Sequence, residues 1–204
     1  MSRPTAVVFD IGNVLIRWDP ENLYKKLIPD EEERKHFLEN ICTYPWNLEQ
    51  DRGRPWDEAI ALLVEQHPEK EALIHAYCDR WEEMLDGHIE GTVAILQDLK
   101  AHNVPMYAIT NFSVDKFEHA KLIFPFLADS FIDTVISGEE KLLKPDRAIY
   151  DKLLERNGLN AADLVFIDDT KANIEAAQAL GMHAVHFQSP EQVREELKAM
   201  GLPV

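Results

Sequence analysis

The chain of 204 residues contains few cysteines and no long apolar run. Its two cysteines, Cys42 and Cys78, form neither a metal-binding spacing nor a disulfide framework, which predicts reduced thiols in a cytoplasmic protein. No apolar stretch approaches the ~20 residues of a membrane-spanning helix. The N-terminal residues lack the pattern of a signal peptide, which also favours a cytoplasmic location.

Basic residues are scarce, because 21 Lys and Arg stand against 37 Asp and Glu, for a net charge of -16. Binding to a nucleic-acid backbone depends on clustered Lys and Arg, so this charge argues against a nucleic-acid partner. It would also repel an anionic substrate, unless a cation, a lysine or a helix N-terminus reverses the charge locally. We therefore expect a soluble globular protein that supplies its own positive charge to any anion it binds.

Short apolar segments alternate with helical patterns over most of the chain. Strands are predicted at residues 6–9, 105–109, 131–136, 164–167 and 184–187. Helices are predicted at residues 91–102, 114–124, 147–157, 172–180 and 191–200. This alternation predicts an α/β fold, with a Rossmann-like parallel sheet covered by helices on both faces.

Residues 17–88 interrupt this alternation, because they contain helical patterns but no convincing strand. The predicted helices span residues 21–27, 31–41, 56–66 and 70–85, and prolines separate them. We interpret this stretch as a helical insertion into a core made of residues 1–16 and 89–204. Most of its large aromatic side chains are predicted to form its own core, whereas Trp18 and residues 46–54 are candidates to line a pocket.

Polar side chains follow three of the predicted strands, and ligands bind at the carboxyl ends of strands in open parallel sheets. Asp10, Thr110 and Asp168 are therefore expected to meet. Asp10 could act as a covalent nucleophile or as a turn residue. Asp168 and Asp169 could cap a helix, but two carboxylates beside Asp10 would repel one another unless a hard cation such as Mg²⁺ lay between them.

Two further loops could supply groups for an anion. The Thr110 hydroxyl and loop amides near Asn111 could hold an anionic oxygen, although a helix N-cap is the alternative. Lys144 is restricted by the proline that follows it, and it could place an ammonium group at the site. Taken alone, Lys144 is better interpreted as a solvated lysine, and Lys141 is the nearest alternative.

In this order, the segments Asp-Ile-Gly-Asn-Val-Leu, Thr-Asn, Lys-Pro-Asp and Asp-Asp-Thr-Lys-Ala-Asn resemble the four motifs of the haloacid dehalogenase-like (HAD) hydrolase superfamily. The insertion resembles its helical cap of the first type, so residues 17–88 are expected to form a cap. The chain looks most like the small sugar-phosphate phosphatases of this superfamily. The resemblance implies that Asp10 attacks phosphorus and forms an aspartyl-phosphate.

The resemblance also implies a Mg²⁺ ion held by Asp10, the backbone carbonyl of Gly12 and Asp169, with Asp168 close by. Thr110 and Asn111 would bind the transferring oxygens, Lys144 would neutralise charge, Asn173 would support the fourth motif, and Trp18 is a candidate for contact with substrate. The expected protein is a Mg²⁺-dependent phosphatase for a small phosphorylated metabolite, present as a monomer or homodimer.

Gly12 departs from the resemblance, because most phosphatases of this superfamily carry a second Asp there as general acid and base. Such a group contributes ~10²–10⁴-fold to the rate. Asp19 is a possible substitute. Displacement of halide needs no such acid, so a metal-independent 2-haloacid dehalogenase is the alternative function, although Asp168 and Asp169 disfavour it. A second alternative is a non-catalytic domain that binds a ligand or partner.

Overall fold

The computed structural model describes residues 3–204. All five strands predicted from the sequence are present: β1 (Ala6–Phe9), β4 (Met106–Thr110), β5 (Asp133–Ile136), β6 (Leu164–Asp168) and β7 (His183–His186). The bounds of β1 are as predicted, and those of the other four differ by one or two residues. Together they form a parallel sheet with the order β5-β4-β1-β6-β7. The remaining two strands, β2 (Ile16–Trp18) and β3 (Leu85–His88), form a separate antiparallel pair.

Helices cover both faces of the parallel sheet, as predicted. Val7 and Phe9 belong to one buried apolar cluster, whereas Ala6 and Val8 belong to the other. Because successive side chains of a strand point to opposite faces, a strand buried on both faces is apolar throughout. The helices outside the insertion are α6 (Glu90–Ala101), α7 (Val114–Ile123), α8 (Phe126–Asp129), α9 (Ser137–Glu140), α10 (Arg147–Asn157), α11 (Lys171–Ala179) and α12 (Pro190–Ala199).

The insertion lies between β2 and β3 and contains five α-helices: α1 (Glu21–Leu27), α2 (Glu31–Asn40), α3 (Tyr44–Asp51), α4 (Trp56–Gln66) and α5 (Glu71–Asp79). Single turns of 3-10 helix occur at Pro68–Lys70, Trp81–Met84 and Ala161–Asp163. The expected single helix over residues 70–85 is therefore divided. The β2–β3 pair lies at both boundaries predicted for the cap, and the division into core and cap stays a prediction.

Two further expectations for the insertion were wrong. The insertion was expected to contain no strand, but β3 lies within it. This strand has only four residues and is mostly exposed, so it carries no apolar pattern. Helix α3 was missed because Pro45 was interpreted as a separator. Pro45 instead occupies the first helical turn, where its missing N–H costs nothing, and the side chain of Thr43 caps the helix by accepting from the Trp46 amide at 3.1 Å.

The topology determines where a ligand can bind. From β1 at the centre, the chain first builds β4 and β5 on one side, then crosses to β6 and β7 on the other. The carboxyl ends of β1, β4 and β6 therefore adjoin at a topological switch point, where ligands bind in open α/β sheets. None of the helices within residues 3–204 has the length and apolar character needed to cross a membrane.

Candidate active site

Three carboxylates meet at the carboxyl ends of β1 and β6. Asp10 follows β1, Asp168 ends β6, and Asp169 comes next in the chain. The two strands are neighbours, with Phe9 paired to Ile167, so the turns after them adjoin. One carboxylate oxygen from each of the three residues lies within 4.8 Å of the others. The structure thus brings these residues together as expected, while their roles stay predictions.

Lys144 lies between two of these carboxylates. Its Nζ is 2.7 Å from Asp10 Oδ1 and 2.7 Å from Asp168 Oδ2, and all three side chains are buried. Burial lowers the pKa of Lys144, but Asp10 and Asp168 raise it further than burial lowers it, so the ammonium stays charged. Lys141, the nearest alternative from the sequence, is exposed. Lys144 is therefore the lysine that can act as a charge clamp.

Both carboxylate oxygens of Asp168 accept hydrogen bonds from neighbouring protein groups. Its Oδ1 accepts from the Thr170 amide at 2.8 Å, and the Asn173 side-chain amide lies 3.0 Å from both of its carboxylate oxygens. Together with the contact from Lys144, these bonds fix the carboxylate in place. Asp168 therefore orients Lys144 and Asn173, and Asp10 and Asp169 are better placed to hold a cation.

Asp10 and Asp169 resist ionisation in the absence of a cation, because the pKa of each carboxyl group is raised. Burial raises the pKa of Asp10 to about 8; Lys144 opposes this rise, and Asp168 adds to it. Burial and Asp168 also raise the pKa of Asp169. A divalent cation beside these groups would favour their ionised forms, and Mg²⁺ prefers such oxygen ligands. The residues therefore fit a Mg²⁺ ion, with Asp10, Asp169 and the carbonyl of Gly12 as candidate ligands.

Asn111 and Lys144 belong to loops that are fastened to each other. The Asn111 side chain donates to the Lys144 carbonyl at 3.2 Å and accepts from the Lys144 amide at 2.8 Å. The side chain of Asn111 thus holds the loop that contains Lys144. The contact with substrate that was expected of Asn111 is therefore assigned to its backbone N–H. Thr110, the last residue of β4, is almost fully buried and lines the same cavity as Asp10.

A cavity of about 360 Å³ opens above these groups. Trp18 lines it, as expected, and so do Gly12 and Asn173. Within residues 46–54, Asn47 and Asp51 line the cavity, whereas Trp46 packs against Trp56 and Tyr77. Other residues on the wall were not predicted to line a pocket: Tyr44, Trp56, Trp81, Phe112, Ser113 and Lys116.

For Trp56 and Trp81, no sequence signal separates a wall residue from the core of the insertion. Trp56 and Trp81 are both largely buried and belong to a hydrophobic cluster, as the helical spacing predicted. Each also presents part of its surface to the cavity. Trp18 carries a buried indole N–H that has no hydrogen-bond partner among the described residues.

Known proteins resemble this chain over most of its length. The profile of the haloacid dehalogenase-like hydrolase family matches residues 4–181. The sesquiterpene phosphatase astK of Aspergillus oryzae is 26% identical over 196 residues, which cover 96% of this chain and 95% of that protein. Acyl-CoA dehydrogenase family member 10 of Mus musculus is 35% identical over 214 residues, which cover 98% of this chain and 19% of that protein.

Two solved structures share the fold. The HAD family enzyme BT-2542 of Bacteroides thetaiotaomicron, in complex with magnesium and inorganic phosphate, has a TM-score of 0.70 and 23% identity over 91% of this chain and 95% of that one. L-2-haloacid dehalogenase of Xanthobacter autotrophicus has a TM-score of 0.65 and 18% identity over 98% and 84%. With the family profile matched over most of its length, the chain belongs to the haloacid dehalogenase-like hydrolases.

Proposed function

We propose that this hydrolase is a Mg²⁺-dependent phosphatase that acts on a small phosphorylated metabolite through an aspartyl-phosphate intermediate. The observation that carries the proposal is the cluster of Asp10, Asp168 and Asp169, clamped on one side by Lys144. Three carboxylates this close need a cation, and a cation with Lys144 makes the site attractive to a phosphate group despite the acidic chain. The phosphatase relatives support the same chemistry.

Asp10 is held for attack on phosphorus. Its Oδ1 accepts from Lys144 Nζ and from the Ile11 amide, each at 2.7 Å, which orients the carboxylate. As Asp10 bonds to phosphorus, the Thr110 hydroxyl and the Asn111 amide would receive the transferring oxygens, and Lys144 would balance their charge. Bound Mg²⁺ supplies further charge neutralisation. Water then hydrolyses the aspartyl-phosphate and regenerates Asp10.

The cavity wall favours an uncharged leaving group with a flat or apolar face. Trp18, Trp56, Trp81 and Phe112 present aromatic surface to it. Aromatic faces stack on flat or apolar ligands. A relative named as a sesquiterpene phosphatase is in keeping with this kind of leaving group.

Dehalogenation is the second candidate, because Gly12 removes the acid that a phosphatase needs and a dehalogenase does not. The carboxylate cluster disfavours it. A 2-haloacid would bring its own carboxylate toward Asp10 and Asp169, and like charges at such distances repel. We further propose a cytoplasmic protein, monomeric or homodimeric, without a nucleic-acid partner, in keeping with the net charge of -16.

Removal of the metal tests the function. We expect phosphate release from a panel of phosphate esters in Mg²⁺, and a fall of at least ~10³-fold in EDTA, since a bound cation contributes several kcal/mol to such reactions. Restoring Mg²⁺ should restore the rate. The same panel contains 2-haloacids: halide release that persists in EDTA would establish the dehalogenase instead. Turnover of neither class would favour a non-catalytic binding domain.

A further inference from the structure

An alcohol leaving group needs a proton. Gly12 stands where most phosphatases of this superfamily carry the acidic residue that donates it, and glycine has no side chain to do so. A Cβ added to Gly12 would meet no atom within 4 Å, so the backbone leaves open space where a side chain would stand. A missing general acid costs ~10²–10⁴-fold in rate. A hydrolase for unactivated esters would therefore take the proton from another part of the cavity wall.

Asp51 is the candidate donor that the cavity contains. Among the described residues lining it, the acidic ones are Asp10, Asp169 and Asp51, and the first two belong to the carboxylate cluster. Asp19, the substitute suggested by the sequence, caps the start of α1 by accepting from the Glu21 amide at 2.9 Å. Asp19 lies beside a neighbouring, more open cavity and not on this wall.

The surroundings of Asp51 favour a protonated carboxyl group. Its side chain is buried at the end of α3, and its Oδ2 accepts a hydrogen bond from the side-chain Nδ2 of Asn47 at 2.9 Å. No lysine or arginine of residues 3–204 forms an ion pair with it. Burial raises the pKa of Asp51 to about 7; the Ser113 amide opposes this rise and Asp115 adds to it. A carboxyl group in this state can both donate and accept a proton near neutral pH.

The core holds Asp51 at the wall. Ser137 Oγ donates to the Asp51 carbonyl at 2.5 Å. Two residues later, Gly53 has a φ of +102°, and a Cβ there would lie 2.7 Å from the Gly138 carbonyl oxygen. Only glycine permits this conformation and this close approach. The end of α3 is therefore fastened to α9 of the core, beside the cavity.

Asp51 shares one cavity with two members of the carboxylate cluster, because Asp10, Asp169 and Asp51 all line it. Tyr44, at the start of the same helix as Asp51, lines it too. A leaving group bound in this cavity is therefore enclosed by a wall that contains both the attacking carboxylate and Asp51.

We propose that Asp51 donates the proton to the leaving oxygen, a role that rests on the proposed phosphatase function. Asp10 bonds to phosphorus, the bond from phosphorus to the leaving oxygen breaks, and that oxygen takes the proton of Asp51 and departs as an alcohol. The Asp51 carboxylate then accepts a proton from the water that attacks the aspartyl-phosphate. Phosphate and the Asp10 carboxylate are released, and Asp51 is again protonated.

Asp51→Asn tests this role through the leaving group. In the first turnover with Mg²⁺, we expect the rate of alcohol release from alkyl phosphates to fall by ~10²-fold or more, because the departing alkoxide needs a proton. The rate of nitrophenolate release from p-nitrophenyl phosphate should fall by a factor at least ~10 times smaller, because nitrophenolate departs without a proton. Asp19→Asn is the matched control, and it should leave the ratio of the two rates as in the wild type.

Equal losses on both esters in Asp51→Asn would assign Asp51 a structural role and overturn the proposal. A thermal melt of the variant separates this outcome from unfolding, and Asp51→Glu, which keeps the carboxyl group, should recover part of the alkyl phosphate rate. A wild type that releases no phosphate from either ester would instead contradict the phosphatase function itself.

Gly12→Asp gives a second, independent test, since the position has room for a Cβ. If Asp51 already supplies the proton, the substitution should recover at least ~10-fold of the alkyl phosphate rate in the Asp51→Asn background, and its gain there should exceed its gain in the wild type by at least ~10-fold. A gain of ~10²-fold in the wild type would mean that the acid was missing, and it would overturn the role of Asp51.

Discussion

Asp10→Asn is expected to lower phosphate release by at least ~10³-fold, because it removes the nucleophile on which both chemical steps depend. The fold should survive. Lys144 keeps Asp168 as a partner, the new amide oxygen can still accept a hydrogen bond, and one of three crowded carboxylates is neutralised. We expect the free energy of unfolding to change by no more than ~1 kcal/mol. Steady-state assays and urea unfolding measure the two quantities.

Asp19→Asn is the control for Asp10→Asn, because Asp19 lies off the cavity wall and asparagine can keep its capping bond. Its rate should match that of the wild type. Turnover by Asp10→Asn at the wild-type rate, in a folded protein, would rule out the aspartyl-phosphate route.

Lys144→Met is expected to cause the largest loss of stability among single substitutions at the site. Asp10 and Asp168 would remain buried without the ammonium that now lies 2.7 Å from each. Removing one partner of a buried ion pair typically costs ~3–5 kcal/mol, a large share of the ~5–15 kcal/mol that holds a domain together. Urea unfolding in EDTA measures this loss. Phosphate release in Mg²⁺ should fall by at least ~10²-fold as well.

Lys141→Met is the matched control for Lys144→Met. Lys141 is exposed, three residues away, and it forms no ion pair with another described residue. Its replacement should change the free energy of unfolding by less than ~0.5 kcal/mol and leave the rate unaltered. A Lys144→Met protein as stable as Lys141→Met would show that the two carboxylates do not need the ammonium.

Much of the fold was predictable because the strands of a doubly covered sheet are apolar throughout and end in polar residues. The five strands of the parallel sheet were found this way, and their carboxyl ends place Asp10, Thr110 and Asp168 together. Strands β2 and β3 lacked this signal because they are short and partly exposed. Helix α3 was hidden by a proline in its first turn.

The finer structure of the site depends on contacts between distant parts of the chain. Nothing in the sequence pairs the Asn111 side chain with the backbone of Lys144, or shows that Asp168 is saturated by donors while Asp169 is more open. The sequence placed Asp51 in a segment expected to line a pocket, residues 46–54, but nothing distinguished it from the other acidic residues of the chain. Its burial on the cavity wall follows from packing between the insertion and the core, which local patterns do not encode.

The bond from Ser137 to the Asp51 carbonyl joins the insertion to the core at the residue proposed to carry the proton. If the insertion rotates away to admit substrate or release product, this bond must break before Asp51 can leave the cavity with the insertion. The open enzyme would then have Asp10 but no acid, and bulk water would meet a site unable to expel an alkoxide. Proton transfer to the leaving group would thus occur only in the closed enzyme, and the water that hydrolyses the aspartyl-phosphate would have to reach it while Asp51 is still in place.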